Sequence, residues 1–314
     1  MKFSTAGQVQ AQWDVRGRAD GVTGDPNLDA VIVTVNEDAN SALYVIHPSG
    51  SGGTMTKYSY SAPPTHNGGT DAITFVDGTI LVSASAPGTT GGPSVPNATH
   101  PALYSVALNA GTKVATLTPY FNDEDTATVA NVNAPTFGQS INLALTDPDS
   151  TSLVPENSPR FHGDFMLTSQ GDLQQIFADV THGHSHLVVL NLAQSIDDAA
   201  WATHSSGTLF STDASNNSID AVNGDFHSGT VYVVATPCNA NAAPATCPAP
   251  GFAANYLASE NLFTGALTPL ATTGVPFSPK GGLLFVGDHD GDGSGHGSHW
   301  AHHQSHLAPR GATG

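Results

Sequence analysis

The sequence predicts an all-β protein, and two observations lead to that prediction. The first is a recurring unit that consists of a short strand, a polar turn containing Gly-Thr or a similar pair, and a second apolar strand. Asp-Ala pairs at Asp71, Asp198 and Asp220 each lead into such a unit. The second is composition, because charged residues make up only 11% of the chain and amphipathic helical stretches are nearly absent. Inexact repeats of about 40–50 residues built only from strands are typical of a β-propeller.

The predicted strands are apolar or alternating runs bounded by Gly, Pro, Asn and Asp. In chain order they cover residues 30–35, 42–46, 55–60, 72–75, 80–85, 103–108, 113–118, 165–168, 173–178, 186–192, 208–211, 218–222, 230–235, 256–261, 266–271 and 283–286. Residues 121–160 are rich in turns and show little strand pattern. We expect roughly twenty or more strands in all, and at four strands per blade six blades fit best, although five or seven also fit. We expect residues 283–286 to pair with residues 31–35 and close the ring.

The chain of 314 residues is long enough for one large core. We predict a polar segment over 1–27, the propeller over 28–287 and an Asp/Gly/His-rich tail over 288–314. No stretch is long and apolar enough to span a bilayer. The chain starts with a basic residue, Lys2, as a signal peptide would, but no apolar region follows it.

The charge balance limits the possible partners. The formal net charge is -18, from 8 Lys and Arg against 26 Asp and Glu. Phosphate backbones and anionic membrane surfaces repel such a chain, so we predict no nucleic-acid and no membrane partner. Cations are the natural counter-charge. The predicted partners are therefore metal ions, together with a small molecule or protein that the sequence does not identify.

Cys238 and Cys247 are the two cysteines of the chain, and both lie in a loop rich in Pro, Ala and Asn. We predict a disulfide between them, because zinc or redox sites use closer spacing or more partners. Disulfides persist in oxidising compartments. The expected location is therefore secreted, either extracellular or periplasmic.

The Asp-Ala and Gly-Thr units, together with the run Leu-Tyr-Ser-Val-Ala-Leu-Asn-Ala-Gly-Thr at 103–112, carry a family resemblance. The chain resembles bacterial secreted β-propellers of the broad NHL-repeat and gluconolactonase-like class over residues 28–287. Gluconolactonase-like members hold a divalent cation in the central channel on Glu, Asn and Asp ligands. That ligand set has no residue-by-residue match here, so the resemblance implies architecture and not activity.

The sharpest local motif is Asp288-His-Asp290-Gly-Asp292-Gly, in which carboxylates alternate and glycines permit a tight turn. Such a loop can wrap one calcium ion with oxygen ligands. The usual calcium loop ends in a bidentate Glu at its twelfth position, where this chain has His299. A solvated acidic turn is the alternative interpretation.

A second candidate metal site comprises His182, His184 and His186, which would share one face of an extended strand. Imidazole ligands suit zinc, copper or nickel. The alternative is a polar strand or loop that faces solvent.

Further histidines follow in the tail, where His-rich tracts commonly bind metals. These candidate ligands are His296, His299, His302, His303 and His306. The alternative is that the tail is an adventitious chelator.

The last candidate is a ring of carboxylates in the central channel, from Asp71, Asp197, Asp198 and Asp220. Such a ring would hold a cation. Alternatively, each Asp caps a turn through its own backbone.

These features favour an extracellular metal-binding propeller that acts as a binding or scaffold module. Two alternatives remain, a metal-dependent hydrolase of lactonase or esterase type and a structural surface protein. No catalytic residue can be named. The segment around Ser185 lacks the second glycine of the Gly-x-Ser-x-Gly nucleophile elbow, and dinucleotide and phosphate-loop motifs are absent.

Overall fold

The computed structural model describes residues 1–4, 7–37, 40–64, 68–87, 100–180, 186–238, 251–252, 254–271 and 278–288. Within these ranges the chain forms 23 strands and no helix, which confirms the all-β prediction. No described segment is a helix long and apolar enough to cross a membrane. The chain begins with a two-stranded sheet of β1 (Lys2–Phe3) and β2 (Val9–Ala11).

The remaining strands fall into five groups. Group 1 contains β3 (Ala19–Asp25), β4 (Ala30–Val35), β5 (Ala42–Ser49) and β6 (Gly52–Tyr60). Group 2 contains β7 (Thr70–Val76), β8 (Thr79–Ala84), β9 (Pro101–Asn109) and β10 (Val114–Asn122). Each group is an antiparallel meander, and a short parallel pairing of β6 with β10 joins the two groups into one eight-stranded sheet.

Group 3 is a six-stranded sheet. It contains β11 (Thr126–Val129), β12 (Ser140–Asn142), β13 (Pro148–Leu153), β14 (Phe165–Ser169), β15 (Gln174–Ala178) and β16 (Leu187–Asn191). The last four strands form an antiparallel meander, and β11 adds to β16 in parallel. The turn-rich stretch 121–160 therefore holds three strands that its sequence does not reveal.

The strands of groups 4 and 5 are interleaved along the chain. Group 4 contains β17 (Ile196–Trp201), β20 (Val231–Ala235), β21 (Tyr256–Glu260) and β22 (Leu267–Pro269), whereas group 5 contains β18 (Ser206–Asp213), β19 (Ser218–Asp225) and β23 (Leu283–Gly287). The expected pairing of residues 283–286 with residues 31–35 is wrong. Strand β23 pairs with β18, while both neighbours of β4 are strands of its own group.

The groups pack face to face, and successive apolar side chains along one strand enter the cores on opposite faces of its sheet. On β14, Phe165 and Leu167 belong to the core between groups 2 and 3, whereas Met166 belongs to the core between groups 3 and 4. On β20, Val233 faces group 3 and Val234 faces group 5. Because both faces of these strands are buried, their sequences are continuously apolar.

Neighbouring groups also contact each other through one strand each. Strand β3 contacts β7, β7 contacts β13, β13 contacts β17, and β17 contacts β23. We call β3, β7, β13, β17 and β23 the central strands. Sheets that pack face to face and meet along one strand each are consistent with a propeller. The described strands supply five such groups, within the predicted range of five to seven.

Candidate functional site

Most of the local motifs singled out in the sequence lie outside the described residues. This applies to His182, His184, Asp290, Asp292, Cys247 and the tail histidines His296, His299, His302, His303 and His306. His186 is exposed and immediately precedes β16. Asp288 is exposed, and its backbone N–H donates to the carbonyl oxygen of Ser206 at 3.2 Å. No described cysteine is free, and the pairing of Cys238 with Cys247 stays a prediction.

The central strands carry a repeated aspartate. The second residue of β3 is Asp20, of β7 Asp71, of β13 Asp149 and of β17 Asp197. At each of these positions the pairing with the adjacent strand is irregular. The irregularities fall between Ala19 and Val22, Thr70 and Ile73, Pro148 and Ser150, and Ile196 and Ala199. A β-bulge re-aims a side chain, so the same device sets the direction of four equivalent carboxyl groups.

These carboxyl groups interact with one another across the central strands. Asp20 lies next to Asp71 and raises its pKa, and Asp197 lies next to Asp149 and raises its pKa. Asp147, which immediately precedes β13, lies close enough to raise the pKa of both Asp71 and Asp149. We call Asp20, Asp71, Asp147, Asp149 and Asp197 the central aspartates.

Glycine makes the closest of these approaches possible. A Cβ atom on Gly21 would lie 2.5 Å from the backbone oxygen of Asp71 and 2.9 Å from the backbone nitrogen of Ile73. Only a residue without a side chain therefore lets β3 come this near to β7. The position of Gly21 directly after Asp20 couples the close approach to the carboxyl pair.

Burial and like charge raise the pKa values of three of the central aspartates, Asp71, Asp147 and Asp149. Burial raises the pKa of Asp71 to about 8, with further contributions from Asp20 and Asp147, while Arg18 acts in the opposite direction. Burial, followed by the charge of Asp197, raises the pKa of Asp149 to about 9. The pKa of Asp147 is also raised, first by burial and then by Asp172 and Asp197.

Neutral donors hold the outer members of the cluster in place. The Asn36 side-chain amide donates to Asp20 Oδ2 at 3.2 Å and also to Asp71 Oδ1. The Gln170 side-chain amide donates to Asp197 Oδ1 at 3.2 Å, and the backbone N–H of Gly281 donates to Asp197 Oδ2 at 2.7 Å. These contacts fix the carboxyl groups without neutralising their charge.

Asp198 has a different role from its neighbour. Its Oδ1 accepts from the backbone N–H of Ala199 at 2.8 Å, and its Oδ2 accepts from the backbone N–H of Leu283 at 2.6 Å. Burial raises the pKa of Asp198 to about 7, although the two backbone donors oppose that shift. Asp198 therefore connects β17 to β23.

Asp220 lies apart from the other predicted channel residues. It is on β19, at the edge of group 5, and Ser218 Oγ donates to its Oδ1 at 3.4 Å. The structure thus brings Asp71 and Asp197 into one cluster and leaves Asp198 and Asp220 outside it. It adds Asp20, Asp147 and Asp149, which the Asp-Ala pattern misses because they are followed by Gly21, Pro148 and Ser150.

The cluster offers only oxygen ligands. Carboxylate oxygens match the preference of hard cations such as calcium. Among the described residues, no group of three or more His, Cys, Asp or Glu side chains is spaced as in an assembled metal centre. The carboxyl groups instead lie in two pairs, Asp20 with Asp71 and Asp149 with Asp197, and within each pair the like charge raises a pKa.

Comparisons with known proteins give little guidance. No known family model matches the chain, and no curated protein matches its sequence. Among solved structures, the chain is similar to a 6-phosphogluconolactonase-like protein from Bacteroides uniformis. The identity is 12% and the TM-score 0.31, over 84% of this chain and 87% of that one. This likeness is too weak to assign a family, an activity or a substrate.

Proposed function

We propose that the central aspartates bind one calcium ion and that the protein is an extracellular calcium-dependent binding module. The observation that supports this most is the convergence of equivalent aspartates from four adjoining central strands. Each lies at a strand irregularity, so the arrangement is built into the sheets and does not depend on a surface loop.

Electrostatics supports a cation at this position. Burial first, and then the like charge of neighbouring carboxyl groups, raises the pKa values of Asp71 and Asp149, so a counter-charge would favour their ionised forms. A divalent cation supplies that counter-charge and displaces the protons. Calcium tolerates irregular sets of oxygen ligands, so the proposal requires the central aspartates to rearrange their side chains around the ion.

The proposal is tested by thermal unfolding of the full chain with calcium or with a chelator. Calcium that binds only the folded state raises the melting temperature. When the free calcium concentration is 100 times the dissociation constant, the free energy of unfolding rises by about 2.7 kcal/mol. Asp149→Asn should abolish this rise. Asp71→Asn should abolish it too, and should also stabilise the calcium-free protein at neutral pH, because folding then no longer requires this carboxyl group to take up a proton, while Asn36 can still donate to the new amide oxygen.

Two control variants locate the ion. Asp220→Asn removes an aspartate from a strand outside the cluster and should keep the full calcium response. Replacing Asp288, Asp290 and Asp292 together by Ala tests the predicted C-terminal calcium loop. If that triple variant loses the response and Asp149→Asn keeps it, calcium binds the loop and the central site is wrong.

A second function is favoured by the raised pKa values themselves. Carboxyl groups that titrate near neutral pH are suited to general acid–base catalysis. A cation-dependent hydrolase acting on lactones or esters is therefore the alternative proposal. Hydrolysis of a lactone panel with calcium, lost in Asp149→Asn and retained in Asp220→Asn, would favour the enzyme over the binding module.

The histidine sites remain separate proposals. His182, His184 and His186 are proposed to bind zinc, copper or nickel, with affinity falling towards pH 5 as imidazole takes up protons. His184→Ala should remove one bound ion per chain if this site exists. Loss of transition-metal binding only when the tail histidines are replaced would place the metal in the tail.

A further inference from the structure

A strip of polar side chains crosses the apolar interface between groups 3 and 4. Ser150 on β13 lies directly opposite Thr168 on β14, and Thr168 lies directly opposite Gln175 on β15. Residues opposite each other in adjacent strands point to the same face. Across the interface, the Gln175 side-chain amide donates to Glu260 Oε2 on β21 at 3.0 Å. We call Ser150, Thr168, Gln175 and Glu260 the buried polar strip.

Every member of the strip is enclosed. Thr168 and Gln175 are 0% exposed, and Ser150 and Glu260 are 6% exposed. Their surroundings are the core between groups 3 and 4, including Met166, Phe177 and Leu190 of group 3. Polar groups in such a place are normally hydrogen-bonded, because burial without a partner costs free energy.

Each member of the strip nevertheless has an oxygen without a hydrogen-bond partner. These oxygens are Ser150 Oγ, Thr168 Oγ1, Gln175 Oε1 and Glu260 Oε1. Four such atoms in adjacent positions are not an isolated packing defect. They indicate that something with affinity for oxygen belongs between groups 3 and 4.

The ligand set defines the chemistry of that occupant. It comprises one carboxyl oxygen, one amide oxygen and two hydroxyl oxygens, with no nitrogen or sulfur, so it suits a hard cation and not a transition metal. The set can carry one negative charge at most, which a monovalent cation balances. We propose that a monovalent cation of the sodium type binds between groups 3 and 4, on Thr168, Gln175 and Glu260, with Ser150 at its edge.

The proposal is independent of the calcium proposal, because the two sites share no residue. Glu260 is the one carboxyl group of the strip, and burial raises its pKa to about 8. A bound cation would hold Glu260 ionised at neutral pH. Without the cation, the side chain keeps its proton.

Thermal unfolding of the full chain tests the site, with chelator present to remove calcium. Sodium chloride is compared at pH 8.5 with N-methylglucamine chloride at the same ionic strength, so that general screening is constant. The melting temperature should be higher in sodium by about 2 °C or more. Glu260→Gln should remove this difference, and Asp149→Asn should retain it.

A crystal structure determined in sodium chloride provides a second readout that does not depend on how stable the variants are. Density coordinated by Thr168, Gln175 and Glu260 at distances shorter than hydrogen bonds, and lost from crystals grown in N-methylglucamine chloride, would support the proposal. Ordered water at hydrogen-bond distances there, or equal melting temperatures in the two salts, would overturn it, since water would then satisfy the four oxygens.

Discussion

At the scale of single residues, Gly21 determines how closely β3 approaches β7. The backbone oxygen of Asp71 occupies the space that a Cβ atom would need, at 2.5 Å. The carboxyl pair formed by Asp20 and Asp71 depends on this approach, because both side chains are short. A residue with no side chain is therefore part of the candidate cation site.

We expect Gly21→Ala to destabilise the protein by about 1–3 kcal/mol, the usual cost of overpacking a close contact. The matched control is Gly224→Ala on β19, where a new Cβ atom would meet nothing within 4 Å. That variant should change stability by about 0.5 kcal/mol or less. Urea unfolding measures both values, and equal effects at the two positions would contradict this account of Gly21.

Sequence reasoning located the central site only in part. Asp71 and Asp197 could be predicted because an aspartate precedes a strand in a recurring unit. Asp20, Asp147 and Asp149 could not, since the residues that follow them differ. Asp20 and Asp149 share a strand irregularity, and an irregularity exists only relative to a partner strand. The buried polar strip was missed for the same reason, because Ser150, Thr168, Gln175 and Glu260 come together only through pairing and packing.

At the scale of elements, Asp198 joins a strand near the middle of the chain to the last described one. Both of its oxygens accept backbone N–H groups, one from β17 itself and one from Leu283 at the start of β23. Strand β23 also pairs with β18, but its outward side chains include the exposed Leu284. The carboxyl group thus adds a hydrogen-bonded link between groups 4 and 5 beside their shared apolar core.

Asp198→Ala should therefore loosen β23 locally. The backbone N–H of Leu283 would lose its acceptor, which costs about 1–3 kcal/mol when the donor stays buried. Hydrogen exchange followed by mass spectrometry should show faster exchange in the peptide that contains residues 283–287, with little change in β14 and β15. Asp220→Ala serves as the control, and similar exchange in both variants would show that Asp198 does not hold β23.

Individual strands were easier to predict than their order. The run 30–35 matches β4, and 230–235 overlaps β20 closely, because continuous β-branched sequences bounded by turns indicate buried strands. The pairing of β18 with β23 was not predicted. Which strands become neighbours depends on long-range packing, and the apolar pattern of residues 283–286 fits either partner.

At the scale of the whole molecule, buried acid groups make stability depend on pH. The formal net charge of -18 counts every carboxyl group as ionised, whereas the raised pKa values of Asp71, Asp149 and Glu260 keep these three groups protonated in the folded protein at neutral pH. In the unfolded chain these groups ionise near pH 4. Between about pH 4 and pH 8–9 the folded state therefore binds more protons than the unfolded state, and stability falls as pH rises.

Without calcium, the melting temperature should be at least about 5 °C lower at pH 8.5 than at pH 5, since each such group contributes up to about 1.4 kcal/mol per pH unit. Calcium should reduce this difference by replacing protons at the central aspartates. The double variant Asp71→Asn and Asp149→Asn should flatten the profile even with chelator present. A melting temperature that rises between pH 5 and pH 8.5 in chelator would contradict the assignment of protonated carboxyl groups.

The interleaved order of the strands of groups 4 and 5 has a consequence for synthesis of the chain. Strands β18 and β19 leave the ribosome well before β23, the strand that completes their sheet. During that interval a nascent chain presents one edge of β18 unpaired, and unpaired edges promote aggregation. The sheet of group 5 is complete only when residues 283–287 have been synthesised. Premature termination between β19 and β23 would therefore give a chain in which one edge of β18 stays unpaired.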